Sequence, residues 1–296
     1  MSINPAPDEA TFERHRARAF QVAYRISGSV ADAEDIVQEA WLRWQAVPRH
    51  DINNPEAWIV TTVARLGIDQ LRSARARRET YVGPWLPEPI LEFSESEPTP
   101  EDRLSLADDI SMALLHMLER LSPEERAAFL LHDAFDYGYD ELAAMLGKSE
   151  AACRQTVSRA RKRVREDHPR FDTNAQEHHR LATAFGNAIA AADPQALITC
   201  LSEDVVLYSD GGGKALAALN PLYGPDHVSR FFFGILKKRP QNLQPRPAIV
   251  NGLPGFVVLV EGEIQSTLSF GISKGRISTI YMVRNPDKLP RRSAPA

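Results

Sequence analysis

The chain of 296 residues is long enough for about two domains of ordinary size, or three small ones. Its 43% hydrophobic and 25% charged residues are average for globular proteins, and no apolar run is long enough to span a bilayer. The N-terminus carries charge where a signal peptide needs an apolar core, so we expect a soluble, cytoplasmic protein. Its two cysteines, Cys153 and Cys200, form neither a metal-ligand spacing nor a disulfide framework.

The net charge of −4 is distributed unevenly along the chain. Residues 79–109 hold nine acidic residues, five prolines and only Arg103 as a base, which is typical of a linker. A weaker break falls at residues 168–176, where Pro169 follows a basic helix. We therefore predict domains at residues 1–80, 110–170 and 171–296, with an acidic linker at 81–109.

The first block is predicted to be helical. In ADAEDIVQEAWLRWQ, apolar residues recur at helical spacing from Ala33 to Trp44, and the other side of the helix is acidic. Asn54 is a predicted cap for a helix that begins at Pro55 and ends in the arginine-rich LRSARARRE. Such arginines suit phosphate binding, but a solvated helix face has the same composition, so both interpretations stay open.

The second block predicts a helix-turn-helix. Ser122, followed by Pro123 and Glu125, has a capping-box arrangement. A short helix, ELAAML, is ended by Gly147, and Ser149 is a predicted cap for a longer helix with one apolar and one basic stripe. In a helix-turn-helix the second helix lies in the major groove, so this pattern indicates DNA reading. The alternative is an ordinary basic surface helix.

Three stretches in order, DAEDIVQEAWLRW, NPEAWIVTTVARLGIDQLR and LSPEERAAFLLHDAFDYGYDELAAMLGKSEAACRQTVSRARKRVRE, carry a family resemblance. Over about residues 10–168 the chain resembles a bacterial extracytoplasmic-function sigma factor. The resemblance implies a subunit that docks on core RNA polymerase. It also implies that the second domain recognises the −35 promoter element and that the first melts the −10 element.

The resemblance further implies contact residues at matching positions. Contacts with the clamp of the largest polymerase subunit are implied for Asp35, Gln38 and Glu39. Contacts with −10 DNA are implied for Arg65, Asp69, Arg72 and Arg75. Contacts with −35 DNA are implied for Ser149, Arg154, Gln155, Ser158, Arg159, Arg161, Lys162 and Arg163. Arg65 stands where many members carry asparagine, which leaves the −10 sequence open.

Residues 171–296 predict an α+β domain. A long helix and a short one precede the strand-like runs VVLYS, PAIVN, GFVVLVEG, IQSTLSFGI and RISTIYMV, and the helical GPDHVSRFFFGILKK follows the first run. This order resembles the SnoaL-like branch of the nuclear-transport-factor-2 superfamily, which implies a cone with a pocket. The motifs WLPEP, DGGGK and NPDKL resemble those of the sigma-factor subgroup that carries such a fused domain.

We expect these three motifs to form regulatory contacts with one another. Their residues are Trp85, Pro87 and Glu88, then Asp210, Gly211, Gly212, Gly213 and Lys214, then Asn285, Pro286, Asp287, Lys288 and Leu289. The glycines permit a close approach, and Lys214 or Lys288 is expected to meet Glu88. The alternatives are a flexible glycine loop, a phosphate-binding nest without Walker spacing, and a plain strand-end turn at NPDKL.

The sequence thus predicts a promoter-specific initiation factor regulated in cis by its C-terminal domain, with no cofactor and no metal. The available catalytic side chains are Asp193, Asp204, Asp210 and His227. No spacing fixes any pair of them together, so we expect no enzyme activity. The alternatives left open are a SnoaL-like enzyme targeted by its helical domains, and a small-molecule-sensing DNA-binding regulator that acts without polymerase.

Overall fold

The computed structural model describes residues 9–48, 52–78, 80–92, 111–166, 175–238 and 242–290. The chain forms two compact units. We call residues 1–79 with 117–167 the helical unit, and residues 80–116 with 168–296 the sheet unit. None of the described helices is long and apolar enough to cross a membrane. Most of the predicted break at 168–176, and linker residues 93–110, lie outside the described residues.

The first half of the helical unit contains α1 (Glu9–Ser27), α2 (Val30–Ala46) and α3 (Pro55–Arg78). The Asn54 side chain accepts a hydrogen bond from the Ala57 amide at 3.1 Å, so the predicted cap of α3 is present. Trp44 of α2 is buried, and its ring centroid lies 5.5 Å from that of Trp58. This aromatic packing fixes which side of α2 faces inward and leaves the acidic side outward.

The second half contains α4 (Met112–Leu118), α5 (Pro123–Phe129), a π-helical turn (Leu130–Ala134), α6 (Tyr139–Leu146) and α7 (Glu150–Glu166). The unit boundary falls inside α4, after His116. The capping box at Ser122 is present, and Gly147 ends α6 in the left-handed conformation at φ 64°. Cys153, Val157 and Ala160 are fully buried, which turns the basic stripe of α7 outward as predicted.

The sheet unit contains α8 (Ala175–Ala190), α9 (Pro194–Cys200) and α10 (Pro225–Lys237). Its strands are β1 (Leu91–Glu92), β2 (Leu201–Asp210), β3 (Leu222–Tyr223), β4 (Leu243–Val250), β5 (Leu253–Val260), β6 (Glu263–Ser273) and β7 (Arg276–Val283). They form one sheet in the order β1-β4-β5-β6-β7-β2-β3, in which only the described pair β2–β7 is parallel. The predicted fold class, two helical domains followed by an α+β domain, is confirmed.

Strand alternation gives this sheet two apolar faces. One face packs against α8, α9 and α10, where Phe185 lies among other aromatic rings, 5.2 Å from Phe232 and 5.0 Å from Phe270 between centroids. The other face carries Val257 and Tyr281. Since both faces are apolar, each must be covered by other residues. Part of the cover of the second face comes from residues that precede the predicted C-terminal domain at 171–296.

The cover comes from both ends of the linker. Leu86, fully buried, packs on the second face just before the linker adds β1 antiparallel to the edge strand β4. Met112 and Ala113, in the first turn of α4, pack on the same face. The His116 ring lies 4.5 Å from the ring of Tyr208 between centroids. The sheet therefore holds the linker at its start and at its end.

Candidate functional site

The outward side of α2 is an acidic surface. Asp35 and Gln38 are exposed and Glu39 is partly exposed, whereas the intervening Ile36 and Val37 are buried. Glu39 pairs with Arg43 one turn later at 2.9 Å. The three predicted polymerase contacts therefore share one accessible helix face, supported by a packed core beneath it.

The outward side of α7 is a basic surface. Arg154, Gln155, Ser158 and Arg159 are exposed along it. Beside them lies a groove of about 450 Å³, lined by Tyr139, Ser158, Arg161, Lys162 and Arg165. A concave surface lined by cations suits a nucleic-acid backbone, because it concentrates positive potential at phosphates.

Several α7 arginines are held by carboxylates from the preceding elements, which sequence reasoning missed. Arg161 donates to both oxygens of Asp133 at 2.8 and 2.6 Å, and this hydrogen bonding raises the arginine's pKa. Arg163 donates to Glu125 at 2.5 Å. Such pairs orient a guanidinium before binding, but each must be exchanged when the arginine meets a phosphate. The sequence showed Glu125 only as a capping-box residue and gave no signal for Asp133, because the pattern of a sequence does not identify ion-pair partners on another helix.

The predicted −10 residues of α3 also have partners inside the helical unit. Arg72 pairs with Asp69 at 3.0 Å and with Glu124 of α5 at 2.6 Å. The Arg72 hydrogen bond holds the pKa of Glu124 below its ordinary value. Arg65 donates to backbone carbonyls at the end of α6. The side chain of Arg75 lies outside the described residues.

The topology of the sheet explains how DGGGK and NPDKL meet. Strands β2 and β7 are parallel neighbours, with Asp210 opposite Val283, so the loops that follow them leave the same edge of the sheet. The backbone carbonyl of Asp210 accepts hydrogen bonds from the amides of Arg284 and Asn285 at 2.7 and 2.9 Å. The two motifs, about 75 residues apart in sequence, are thus adjacent by strand pairing.

The Asp210 carboxylate is the centre of a buried cluster that also contains linker residues. It is fully buried and accepts hydrogen bonds from the Tyr81 hydroxyl at 2.5 Å and from the Leu86 amide at 2.8 Å. The Lys288 ammonium donates to it at 2.7 Å. Burial, and then the neighbouring Asp210, raise the pKa of Tyr81. We call Tyr81, Leu86, Asp210, Asn285 and Lys288 the Asp210 cluster.

Lys288 ties the C-terminal motif to the linker in two further ways. Its ammonium donates to the Leu86 carbonyl at 2.6 Å and lies 4.0 Å from the ring centroid of Trp85, a cation–π contact. Lys214 pairs instead with Asp287. The expected meeting of a lysine with Glu88 stays a prediction. Sequence reasoning missed Tyr81, which lies just outside the WLPEP motif.

The glycines of DGGGK permit the close approach that the sequence predicted. At Gly212, where φ is 58°, a side chain would collide with the Asn285 amide and the Tyr81 hydroxyl. At Gly213, where φ is 71°, a side chain would press on Val82. This loop is therefore fitted to the linker, and a plain flexible loop does not describe it.

The side chains considered for catalysis are dispersed. Asp193 caps α9 by accepting from the amides of Gln195 and Ala196 at 2.9 and 3.0 Å. Asp204 is exposed on β2, and Asp210 is engaged in its cluster. Across the described ranges, no group of three or more His, Cys, Asp or Glu side chains is arranged to hold a metal ion.

Comparison with known proteins assigns the two helical blocks. The family model Sigma-70 region 2 matches residues 11–77, and the model Sigma-70, region 4 matches residues 111–164. The extracytoplasmic-function RNA polymerase sigma factor SigJ of Mycobacterium tuberculosis is 40% identical over 288 residues, 94% of this chain and 91% of that protein. The chain belongs to the extracytoplasmic-function sigma factors.

Two further comparisons cover the fused domain as well. A probable sigma factor of the same family, SigI of Mycobacterium tuberculosis, is 30% identical over 96% of this chain and 95% of its own. The crystal structure of Mycobacterium tuberculosis SigJ superposes with a TM-score of 0.78 at 36% identity, covering 96% of this chain and all of that one. The resemblance drawn from the sequence is confirmed, and regions 2 and 4 are the promoter-recognition domains of a sigma factor.

The buried Asp210–Lys288 pair gives a stability prediction. Replacing Lys288 with alanine leaves a fully buried carboxylate without its counter-charge, which we expect to cost about 3–5 kcal/mol of the sheet unit's free energy of unfolding. Hydrogen exchange of peptides from β2 and β7 would measure the loss.

Lys214→Ala is the matched control, because it breaks an ion pair in the same loops whose side chains are both more than half exposed. Its cost should stay below about 1 kcal/mol. Equal protection in the two variants would contradict a central role for the Asp210–Lys288 pair.

Proposed function

We propose that this sigma factor docks on the polymerase clamp through α2, contacts −10 DNA through α3, reads −35 DNA through α7, and is regulated in cis by its C-terminal domain. The observation that carries the proposal is the pair of matched regions, each with a charged helix face directed outward from a packed core. The acidic face of α2 suits a basic, helical partner, and the basic face of α7 suits DNA.

The roles of individual α7 residues follow from their positions. Arg154 and Gln155 are exposed near the N-terminal end of α7, the part of a recognition helix that contacts base edges. Lys162 lines the groove two turns later, where phosphate contact is expected. The early residues therefore discriminate between sequences, and Lys162 contributes affinity for any DNA.

Regulation in cis is supported by the anchoring of both linker ends on the sheet unit. The segment after α3 is held by the Asp210 cluster and β1, and the start of α4 is held by the apolar face and by Tyr208. The linker joins region 2 to region 4, so a sheet that grips both ends constrains how far the two regions separate. The C-terminal domain then acts where a separate inhibitor protein would otherwise be needed.

We assign the C-terminal domain a regulatory and not an enzymatic role. Of its candidate catalytic carboxylates, Asp193 is occupied in capping, Asp210 is occupied in its cluster, and Asp204 is exposed on β2. Binding of a small molecule to this domain remains a prediction from the resemblance. The protein is expected to act in the cytoplasm, where its polymerase and promoter partners are found.

The docking proposal makes the first functional prediction. Asp35→Lys combined with Glu39→Lys should abolish binding to core polymerase, because it reverses two charges on the docking face, while exposed reversals usually change stability by about 0.5 kcal/mol or less. Copurification with core polymerase measures the effect, and circular dichroism checks folding.

Glu34→Lys, at an exposed acid of the same helix outside the predicted contact set, is the control and should bind core nearly as the wild type does. Undiminished core binding by a folded Asp35/Glu39 double variant would overturn the docking proposal.

Promoter reading makes a second prediction. Arg154→Ala and Gln155→Ala should each reduce discrimination at −35 positions by about 1–3 kcal/mol per lost base contact. Lys162→Ala should weaken binding to all promoters alike. It should also reduce the slope of log affinity against log salt concentration by about 1, the effect of one lost phosphate contact. Holoenzyme binding to matched and scrambled −35 elements across a salt series separates the two effects. Equal effects of all three substitutions on both DNAs would show that the reading face is assigned wrongly.

Regulation in cis makes a third prediction. Tyr81→Phe removes one donor to Asp210 with little change in packing, and Trp85→Ala removes the cation–π contact of Lys288. Both should raise transcription by loosening the linker. The double variant should give less than the product of the two single effects, because both substitutions weaken the hold of the Asp210 cluster on the linker. Run-off transcription with reconstituted holoenzyme measures the output.

Leu216→Ala, at a side chain that is 83% exposed in the loop after DGGGK, is the control and should leave output near wild type. Unchanged transcription by folded, equally abundant Tyr81→Phe and Trp85→Ala variants would contradict regulation through the Asp210 cluster.

A further inference from the structure

The ring of Tyr139, the first residue of α6, lies against two groups of region 4. The guanidinium carbon of Arg154 in α7 lies 4.3 Å from the ring centroid. The centroid of the His132 ring lies 4.1 Å from it, with the two ring planes 34° apart. Contacts this close to a centroid are made over the face of a ring, where the aromatic quadrupole attracts a cation. Tyr139 therefore makes a cation–π contact with the first arginine of the proposed −35 surface.

The backbone before Tyr139 fixes the support of its ring. In the π-helical turn the Phe135 amide donates to the Leu130 carbonyl at 3.1 Å, and the Nδ1 atom of His132 lies 2.8 Å from the carbonyl oxygen of Tyr137. Because a carbonyl oxygen only accepts, this hydrogen bond requires that Nδ1 carry the proton, and it holds the His132 ring in one orientation. The His132 ring is thus a fixed support for the Tyr139 ring.

Arg154 has another partner, Glu150, one turn earlier in α7. The closest nitrogen–oxygen distance is 3.3 Å, and the side chains of Arg154 and Glu150 are 59% and 53% exposed. A pair of this kind contributes little, because solvent and salt screen it. The aromatic contact is therefore the one that limits the directions available to the guanidinium. Unlike a carboxylate, it leaves the positive charge uncompensated for DNA.

Tyr139 also lies where the proposed −35 surface is concave. Its side chain lines the groove of about 450 Å³ together with Ser158, Arg161, Lys162 and Arg165. A base-reading arginine discriminates only when its N–H donors are aimed at a base edge, and a long side chain loses rotamer freedom when it is aimed in this way. A ring that confines the side chain before binding removes part of that cost.

We propose that Tyr139 is a positioning residue for −35 recognition, whose ring confines the guanidinium of Arg154 in the free protein, and that His132 supports this ring. This role rests on the proposed function, in which Arg154 contacts a base edge. Loss of the ring should reduce discrimination between promoters and leave affinity for DNA of any sequence nearly unchanged. The reason is that the ring acts on a side chain that reads bases and not on those that contact phosphates.

Substitutions of Tyr139 in the full chain, assembled with core polymerase, test this role. Tyr139→Leu removes the ring and should reduce the ratio of affinities for matched and scrambled −35 elements about twofold to fivefold, the size of an exposed cation–π contact. Tyr139→Phe keeps the ring, so it should change this ratio by less than about twofold. Tyr223→Leu is the matched control, because it makes the same change at a tyrosine that is 63% exposed in β3, and it should leave the ratio unchanged.

A double-mutant cycle shows whether Tyr139 acts through Arg154. In an Arg154→Ala background, Tyr139→Leu should have no further effect on the affinity ratio, whereas an independent contact of Tyr139 with DNA would give additive effects and overturn the positioning role. With Arg154 present, His132→Ala should reduce the ratio by less than Tyr139→Leu does, because the Tyr139 ring remains but is held less firmly.

A measurement without DNA or polymerase tests the contact itself. In the free chain with isotope-labelled arginine, the ring should shift the side-chain proton signals of Arg154 upfield in the wild type and in Tyr139→Phe, but not in Tyr139→Leu. These signals are identified by their absence from the spectrum of Arg154→Ala. Arg154 signals at the same position in the wild type and in Tyr139→Leu would show that the ring does not hold the guanidinium, and the proposal would be wrong.

Failure of the positioning role and failure of the proposed function give different results. If Arg154→Ala lowers the affinity ratio and a folded Tyr139→Leu variant does not, the positioning role is wrong and the proposed function stands. If Tyr139→Phe weakens binding to both DNAs as much as Tyr139→Leu does, with the ratio unchanged, Tyr139 acts through its hydroxyl and the positioning role is again wrong. If Arg154→Ala itself leaves the ratio unchanged, the assignment of Arg154 as a base reader fails, and the positioning role fails with it.

Discussion

The arrangement of the sheet unit depends on one buried charge, the carboxylate of Asp210. A carboxylate with no exposed surface is stable only when it is paired and hydrogen-bonded, and its donors come from three separate parts of the chain. The linker supplies the Tyr81 hydroxyl and the Leu86 amide, and the C-terminal motif supplies Lys288. Moving the linker away would strip two donors from a buried anion. The polar requirement of one side chain therefore fixes a segment that composition alone describes as a flexible tether.

The helical unit uses charge in the opposite way, at its surface. Two arginines of the proposed −35 surface are held by carboxylates of α5 and of the π-helical turn: Arg163 by Glu125 and Arg161 by Asp133. The Arg161–Asp133 pair is partly exposed, so it can be exchanged for a phosphate at small cost. Glu125 is only 5% exposed, and it keeps the Ser122 amide as a hydrogen-bond donor when Arg163 leaves. This explains why a chain with a net negative charge can still bind DNA. Much of the acidity lies in the linker, and several of the remaining acidic side chains orient the arginine side chains.

Much of the fold was predictable because the signals are local. The caps at Asn54 and Ser122, the glycine turn at Gly147 and the strand runs all depend on residues close in sequence, and all are present. The meeting of DGGGK with NPDKL was predicted from motif resemblance, and its physical cause, the parallel pairing of β2 with β7, is not visible in either motif. Tyr81 and Glu124 were missed because their importance comes from partners 129 and 52 residues away.

The length of the linker limits how far regions 2 and 4 can separate. Residues 80–110, about 30 residues, would span at most roughly 100 Å if fully extended, which is only a little more than the 85 Å or so between the promoter elements. With residues 80–92 fixed on the sheet and the start of α4 fixed on the same sheet, most of that reach is lost. In the proposed regulation in cis, regions 2 and 4 therefore reach full separation only when the Asp210 cluster releases the linker.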